Sequence, residues 1–363
     1  MKQRLDTLDI CKGIAMILVT TAHILGSIPT PPPEIIVLMR ICYAVELPIF
    51  FMACGIQFQY NNTERKTPKN FFCGRVKRIL YPYFTFSIIY ALIDIAIFIL
   101  KYLLKGVFVW RNLTGGILEA VFLWGRGPLW FLPALLGAEC LFYVVNKFWS
   151  QGLHVVSVLI LIVSNLFSGI TEPYYESFLD SSAPIRIYLL VFVLRILVAY
   201  SYVYIGSLLL PLIKSIIGLK QSVYKSVGGM LLVCMGCAGA QLSTDMLDLH
   251  FGYTRNPFIT YPIAIILFLG IFMLFDGYKM DALKRISQNS IFLMGMQFLT
   301  GYIVKAILTV LNHFNMSINA YGVGITAIAL FWIVVIPCAY VQKNYMNFII
   351  EPVLKINQKE NTK

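Results

Sequence analysis

The sequence predicts an all-α polytopic transmembrane helical bundle of about ten spans, with both termini cytoplasmic. Three observations carry that expectation. Of 363 residues, 59% are hydrophobic and 13% charged, whereas a soluble globular chain carries roughly 25% charged residues. Apolar runs of the length a bilayer demands, about 20 residues, recur along the whole chain. Cations gather in alternate connectors. The same composition excludes disorder, since 14% of residues are aromatic and such a chain buries too much apolar surface to stay unfolded. A soluble enzyme or nucleic-acid module is excluded too, because 13% charge is too little to coat the surface of a soluble chain of 363 residues.

Taken in order, the first span falls at about 11–29 and ends on the prolines of 29–33, where backbone without a helix is affordable outside lipid. The second, at about 35–58, is followed by a connector carrying Arg65, Lys66, Lys69, Arg75, Lys77 and Arg78. The third runs at about 80–104, and the stretch 105–127 after it reads as an amphipathic connector. The fourth and fifth follow at about 128–147 and 153–169, the latter short for a span. The sixth to tenth lie at about 187–213, 224–243, 257–276, 289–312 and 320–342. One transmembrane domain is expected over 1–343, with a short polar cytoplasmic tail at 344–363. The first residues do not read as a cleavable signal, because Asp6 and Asp9 interrupt the charged start and no small-residue cleavage site follows.

Of the 29 Lys and Arg residues, 19 lie at the termini or in the connectors on their side, five lie in the opposite connectors and five within spans. That bias places both ends in the cytoplasm and accounts for the net charge of +12 without nucleic acid. Seven of eight cysteines fall in spans, so a disulfide framework is not expected, and Cys234-x-x-Cys237 reads as small packing residues. Four scattered histidines give no zinc spacing, and no metal is expected.

An ionisable group within a span is costly and marks a functional position by default. Lys12 and His23 are eleven residues apart, which at 100° per residue returns them to within about 20° of one face. Asp9 joins the same stripe. The stripe is about 16 Å long and links the cytoplasmic mouth to the outer half of the membrane. The competing reading has Lys12 snorkelling and His23 bonded between helices. By depth, Arg40, Arg195 and Lys305 come out near the level of His23, with Glu46 and Glu139 deeper. Such a cationic layer suits a phosphate-bearing or anionic acceptor; equally, Arg40 could bridge to Glu46, Glu139 or Asp94 for structure. Arg75 and Arg78 share a helical face where a phosphorylated soluble donor would arrive, and positive-inside anchoring explains them as well.

Several segments together resemble membrane-bound acyltransferase family 3, in its stand-alone form. These are Asp9-Ile-Cys-Lys12-Gly13 followed by His23, Pro48-Ile-Phe50-Phe51-Met-Ala-Cys54-Gly55, Arg75-x-x-Arg78-x-x-x-Pro82, Trp130-Phe131-Leu132 and Asn289-Ser290-Ile-Phe292, in order over most of the chain. Three departures stand out: Cys54 replaces a usual Ser, Glu46 stands where many members have His, and Gln297 occupies a commonly His position. The resemblance implies transfer of an acyl group, most often acetyl, from cytoplasmic acyl-coenzyme A to a hydroxyl of a cell-surface or lipid-linked glycan at the cell membrane. Acyl-coenzyme A would be a co-substrate, with no permanently bound cofactor. In that frame His23 is the expected general base, with an acyl-imidazole at His23 as an open alternative. Asp9 would orient Lys12, while Lys12, Arg75 and Arg78 would hold donor phosphates. Arg40, Glu46, Trp130 and Arg195 are the candidate acceptor residues; Trp130 would stack on a sugar or serve in an interfacial belt. A transporter or flippase of a polysaccharide precursor, without acyl transfer, is the alternative reading.

Overall fold

A computed structural model describes residues 5–105, 120–125, 127–179, 184–219, 222–242, 249–252, 256–314 and 319–345. The connector residues 106–119, Arg126, Arg255 and the tail from 346 onward lie outside the described residues. Among those described the chain is helical and has no strands. The helices are α1 (Asp6–Gly26), α2 (Pro33–Tyr60), α3 (Pro68–Lys105), α4 (Phe131–Phe148), α5 (Leu153–Thr171), α6 (Ile185–Gly218), α7 (Val223–Leu242), α8 (Pro257–Phe275), α9 (Asp281–Gln288), α10 (Ser290–Met296), α11 (Phe298–His313) and α12 (Ala320–Tyr345). Nine of the described helices are long and apolar enough to cross a membrane, and α10 with α11 makes a tenth, bent by 42°.

These positions match the ten apolar runs, with two informative differences. Helix α3 begins at Pro68, twelve residues before the apolar run, so Arg75 and Arg78 stand on a helix rather than in a loop. The ninth span is broken at Gln297. Prolines at helix starts act as entry points, as at Pro33 and Pro257, because their missing N–H is unpaired there anyway. Pro48, Pro82, Pro211, Pro262 and Pro337 lie inside helices, where neighbouring helices and local adjustment re-satisfy the freed carbonyls.

Exposure separates the bundle into a core and a rim. About 67% of the apolar stretch of α1 is buried and only 17% of that around α5; this gap puts α1 at the centre and α5 against lipid. Helices α2, α4 and α6 are likewise mostly buried, while α3, α7 and α12 are mostly exposed. The exposed side chains of the rim are large and apolar, among them Leu92, Leu166, Leu231 and Ile333, as a lipid-facing surface requires.

Without a hydrophobic drive between helices in lipid, association depends on close packing and interhelical hydrogen bonds. Helix α2 packs chiefly on α6, and α1 on α2 and α9. Gly55 and Gly206 make the α2–α6 crossing: a Cβ on Gly55 would lie 1.9 Å from the Val203 carbonyl oxygen, and one on Gly206 2.1 Å from that of Met52. Phe51 sits between Phe131 of α4, ring centroids 5.0 Å apart, and Tyr202 of α6 at 6.5 Å. Polar pairs tie α5 to α6, with Ser157 Oγ 2.6 Å from the Tyr200 hydroxyl and His154 Nδ1 2.9 Å from that of Tyr204.

One buried ion pair joins three distant segments. Lys225 Nζ of α7 lies 2.6 Å from Asp276 Oδ2, just past α8, and Thr7 of α1 donates to Asp276 Oδ1 at 2.7 Å. Lys225 also donates to the carbonyl of Ile216 at 2.9 Å. Counted in the sequence among the cytoplasmic anchoring cations, Lys225 is instead buried inside the fold.

Candidate functional site

Helix α1 positions the central residues. Its side chains from Leu8 to Ala22 include Ile10, Cys11, Ala15, Met16 and Val19, all essentially without exposure, so the helix meets protein on every side. Asp9 is buried and Lys12 half-buried, and they form an ion pair of 2.7 Å at i, i+3 spacing. Gly13, next to Lys12, lets the Leu283 backbone of α9 come within 2.3 Å of where a Cβ would stand. The mouth of α1 is thereby fixed against α9, and Lys284 of α9 bonds Asp6 at 2.5 Å. That hydrogen bond, ahead of the surrounding carboxylates, raises the Lys284 pKa.

Two further cations reach the same end. Arg75 Nη2 lies 3.1 Å from Glu139 Oε1 of α4 and its guanidinium stands 5.6 Å from the Phe71 ring centre. Arg78 is exposed one turn on. The Cys54 thiol of α2 lies within electrostatic reach of Glu139, Arg75, Lys12 and Arg78 together, which marks these residues as one cluster contributed by α1, α2, α3 and α4. Glu139, expected near the middle with Arg40 as one bridging partner, pairs with Arg75.

Eleven residues along α1, His23 is enclosed by protein yet keeps part of its surface accessible. Its neighbourhood holds a residue the sequence reasoning missed. His250, in the short turn Leu249–Phe251, is in electrostatic reach of both His23 and Arg195. Its ring centre lies 5.5 Å from that of Trp130. Burial first, then the Arg195 guanidinium and His23, push the His250 pKa well below its ordinary value, which keeps this imidazole neutral near pH 7. The signal available in sequence was slight: an imidazole in a polar connector, flanked by Leu249 and Phe251, which are both buried.

Arg195 is buried and braces this end. Its Nε donates to the His250 carbonyl at 2.5 Å, its Nη1 to the Trp124 carbonyl at 2.7 Å, and its guanidinium lies 5.1 Å from the Trp130 ring centre. Trp130, in the turn Gly127–Trp130 that opens α4, is buried under that guanidinium. Arg195 and Trp130 thus come together with His250, which is in turn in electrostatic reach of His23. Of the others placed at that level, Arg40 is half-buried on α2, and Glu46, six residues on, is buried. Lys305 is exposed on α11 and does not belong to an interior layer. Among the described residues no group of three or more His, Cys, Asp or Glu side chains is placed to hold a metal ion.

The interior of the bundle therefore carries two polar centres on one helix. One end offers cations already neutralised by carboxylates; the other offers two imidazoles beside an aromatic face. The sequence model of a family described as an acyltransferase domain matches residues 5–340. No curated protein and no solved structure matches the chain. The chain belongs to acyltransferase family 3 and is a multi-pass membrane acyltransferase.

Proposed function

Proceeding from that membership, we propose that this membrane acyltransferase moves an acyl group, acetyl being the simplest case, from cytoplasmic acyl-coenzyme A to a hydroxyl of a cell-surface or lipid-linked glycan. The supporting observation is the presence on α1 of Lys12, half-buried and paired with Asp9, at one end and of His23, enclosed by protein, at the other. The rise of eleven helical residues, about 16 Å, is of the order needed to separate the phosphates of coenzyme A from its thioester along an extended pantetheine arm.

In this reading Lys12, Arg75 and Arg78 hold the donor phosphates, with Asp9 and Glu139 keeping Lys12 and Arg75 in place when the donor is absent. Charge-assisted bonds from guanidinium and ammonium groups are the strong ones for phosphate. A sugar hydroxyl is a weak nucleophile, and a neutral imidazole is the natural group to take its proton. His23 accepts that proton as the hydroxyl oxygen attacks the thioester carbonyl. The C–S bond then breaks, and the departing thiolate takes the proton back from the imidazolium. Ester and free coenzyme A are the products. Arg195 and Trp130 shape the acceptor end with His250, and Arg40 and Glu46 border it. The bias of cations towards the connectors on the side of the termini, which survives setting aside the buried Lys225, supports cytoplasmic termini and a donor arriving from the cytoplasm in a cell membrane.

The test is purified protein given acetyl-labelled coenzyme A and a membrane glycan extract. Wild-type protein labels the glycan, and His23→Ala abolishes labelling while its thermal unfolding stays unchanged. Consumption of donor at the wild-type rate by His23→Ala overturns the base assignment. Intact donor with wild-type protein overturns the reading as a whole in favour of a carrier.

A further inference from the structure

The bend in the ninth span contains a polar side chain that the chemistry above leaves unused. Gln297 is buried, and neither its amide Oε1 nor its Nε2 has a hydrogen-bond partner among the described residues. The backbone around it is satisfied: its N–H donates to the Met294 carbonyl at 3.3 Å, and its own carbonyl accepts the Thr300 hydroxyl at 2.7 Å. The side chain alone is unpaired. Gln297 sits in the middle of a buried stripe formed by Leu293, Gln297, Thr300 and Val304, the inward face of α10 and α11.

Its depth follows from two close approaches. Near the mouth, Gly13 of α1 meets Leu283; further along, Gly301 of α11 stands against the Ser27 hydroxyl, 3.7 Å from where its Cβ would be. These segments thus run parallel to α1. His23 precedes Ser27 by four residues and Gln297 precedes Gly301 by four, about 6 Å in each helix. The amide therefore lies level with His23. Helix α10, just before it, packs on α1 and on the turn Gly127–Trp130.

We infer that Gln297 is a specificity-determining residue for the acceptor, hydrogen-bonding a neutral hydroxyl adjacent to the one that reacts. This rests on the acyl-transfer reading. A buried amide offers one donor pair and one acceptor, and leaving both unmet is expensive. The ligand group that meets both at once is a hydroxyl, which donates and accepts. A bare anion meets only the NH₂ group and leaves the carbonyl oxygen unsatisfied. A site built on such an amide rejects an analogue lacking the hydroxyl, because its own polar atoms are then stranded.

The experiment measures binding separately from transfer. Purified full-length protein in detergent is titrated calorimetrically with methyl glycosides of glucose, galactose, mannose and N-acetylglucosamine and with their monodeoxy analogues. At least one glycoside binds wild-type protein, and Gln297→Leu weakens that binding by at least about 10-fold. Gln297→His, which keeps one donor and one acceptor, restores it. One deoxy analogue binds wild type and Gln297→Leu alike, identifying the hydroxyl that is read. Equal glycoside affinity in wild type and Gln297→Leu, as when the amide serves only internal water, overturns the inference; so does absence of binding across the panel. Should Gln297→Leu not fold, Gln297→Met gives the same comparison. A glycoside that binds through Gln297 but never acquires the labelled acetyl group sinks the acyl-transfer reading and leaves the amide assignment standing.

Discussion

Replacing Arg75 with Ala separates its ion pair with Glu139 from its proposed hold on the donor phosphates. Arg75 neutralises Glu139 at 3.1 Å, with side-chain exposures of 21% and 4%. Breaking a fully buried pair costs about 3–5 kcal/mol, because the surviving charge stays desolvated. Arg75 is a fifth exposed, so water screens part of that loss, and about 2–3 kcal/mol is the expected destabilisation of Arg75→Ala. Separately, a charged hydrogen bond to a donor phosphate contributes about 1.5–3 kcal/mol, which is roughly a 10- to 150-fold rise in donor KM. The two effects part in the double variant Arg75→Ala/Glu139→Gln. Removing the stranded carboxylate restores most of the thermal stability, whereas donor KM stays raised. Thermal unfolding in detergent and initial rates against acetyl-coenzyme A concentration read both quantities on one preparation. An unchanged donor KM in Arg75→Ala, or recovery of KM in the double variant, refutes the phosphate role and leaves Arg75 as the partner of Glu139 only.

Three further outcomes follow from the same geometry. His250 has a lowered pKa, so as pH falls below about 6.5 the unfolded chain binds a proton that the folded chain resists. Stability therefore declines on acidification through that window and is fully present above it; His250→Asn flattens this part of a pH series of melting temperatures. Lys225→Met strands the Asp276 carboxylate and lowers stability by about 3–5 kcal/mol, while Lys225→Met/Asp276→Leu recovers most of it, as thermal unfolding will show. Gly206→Val drives a side chain into the Met52 backbone, and the expected result is loss of folded, monodisperse protein in size-exclusion chromatography.

Helix positions were legible because each apolar run has only one use in a bilayer. The Asp9, Lys12 and His23 stripe was legible as well, since eleven residues of α-helix fix a rotation without reference to any neighbour. Contacts between helices were not. Whether Glu139 meets Arg40 or Arg75 depends on how α4 is rotated against α2 and α3, and hydropathy carries no information about rotation. Lys225 counted as an anchoring cation because its partner lies 51 residues away in sequence. Lys305 sits in an apolar run and still faces outward, so span membership alone does not make a charge interior. His250 escaped because attention to ionisable groups inside spans passes over a connector that folds back between them.

The tie between Thr7, Lys225 and Asp276 bears on how the molecule is made. Helix α1 leaves the ribosome before the helices it packs against, and the carboxylate that fastens its beginning is synthesised 269 residues later. Lys225 and Asp276 flank the α7–α8 hairpin and can cancel one another's charge as that hairpin enters the bilayer. Helix α1 then acquires this anchor only after the eighth helix is in place, and its contacts with α9 and α11 later still. The element that carries both Lys12 and His23 is thus made ahead of its partners and seated late, and a nascent chain that stops short of Asp276 lacks the tie that holds the start of that helix.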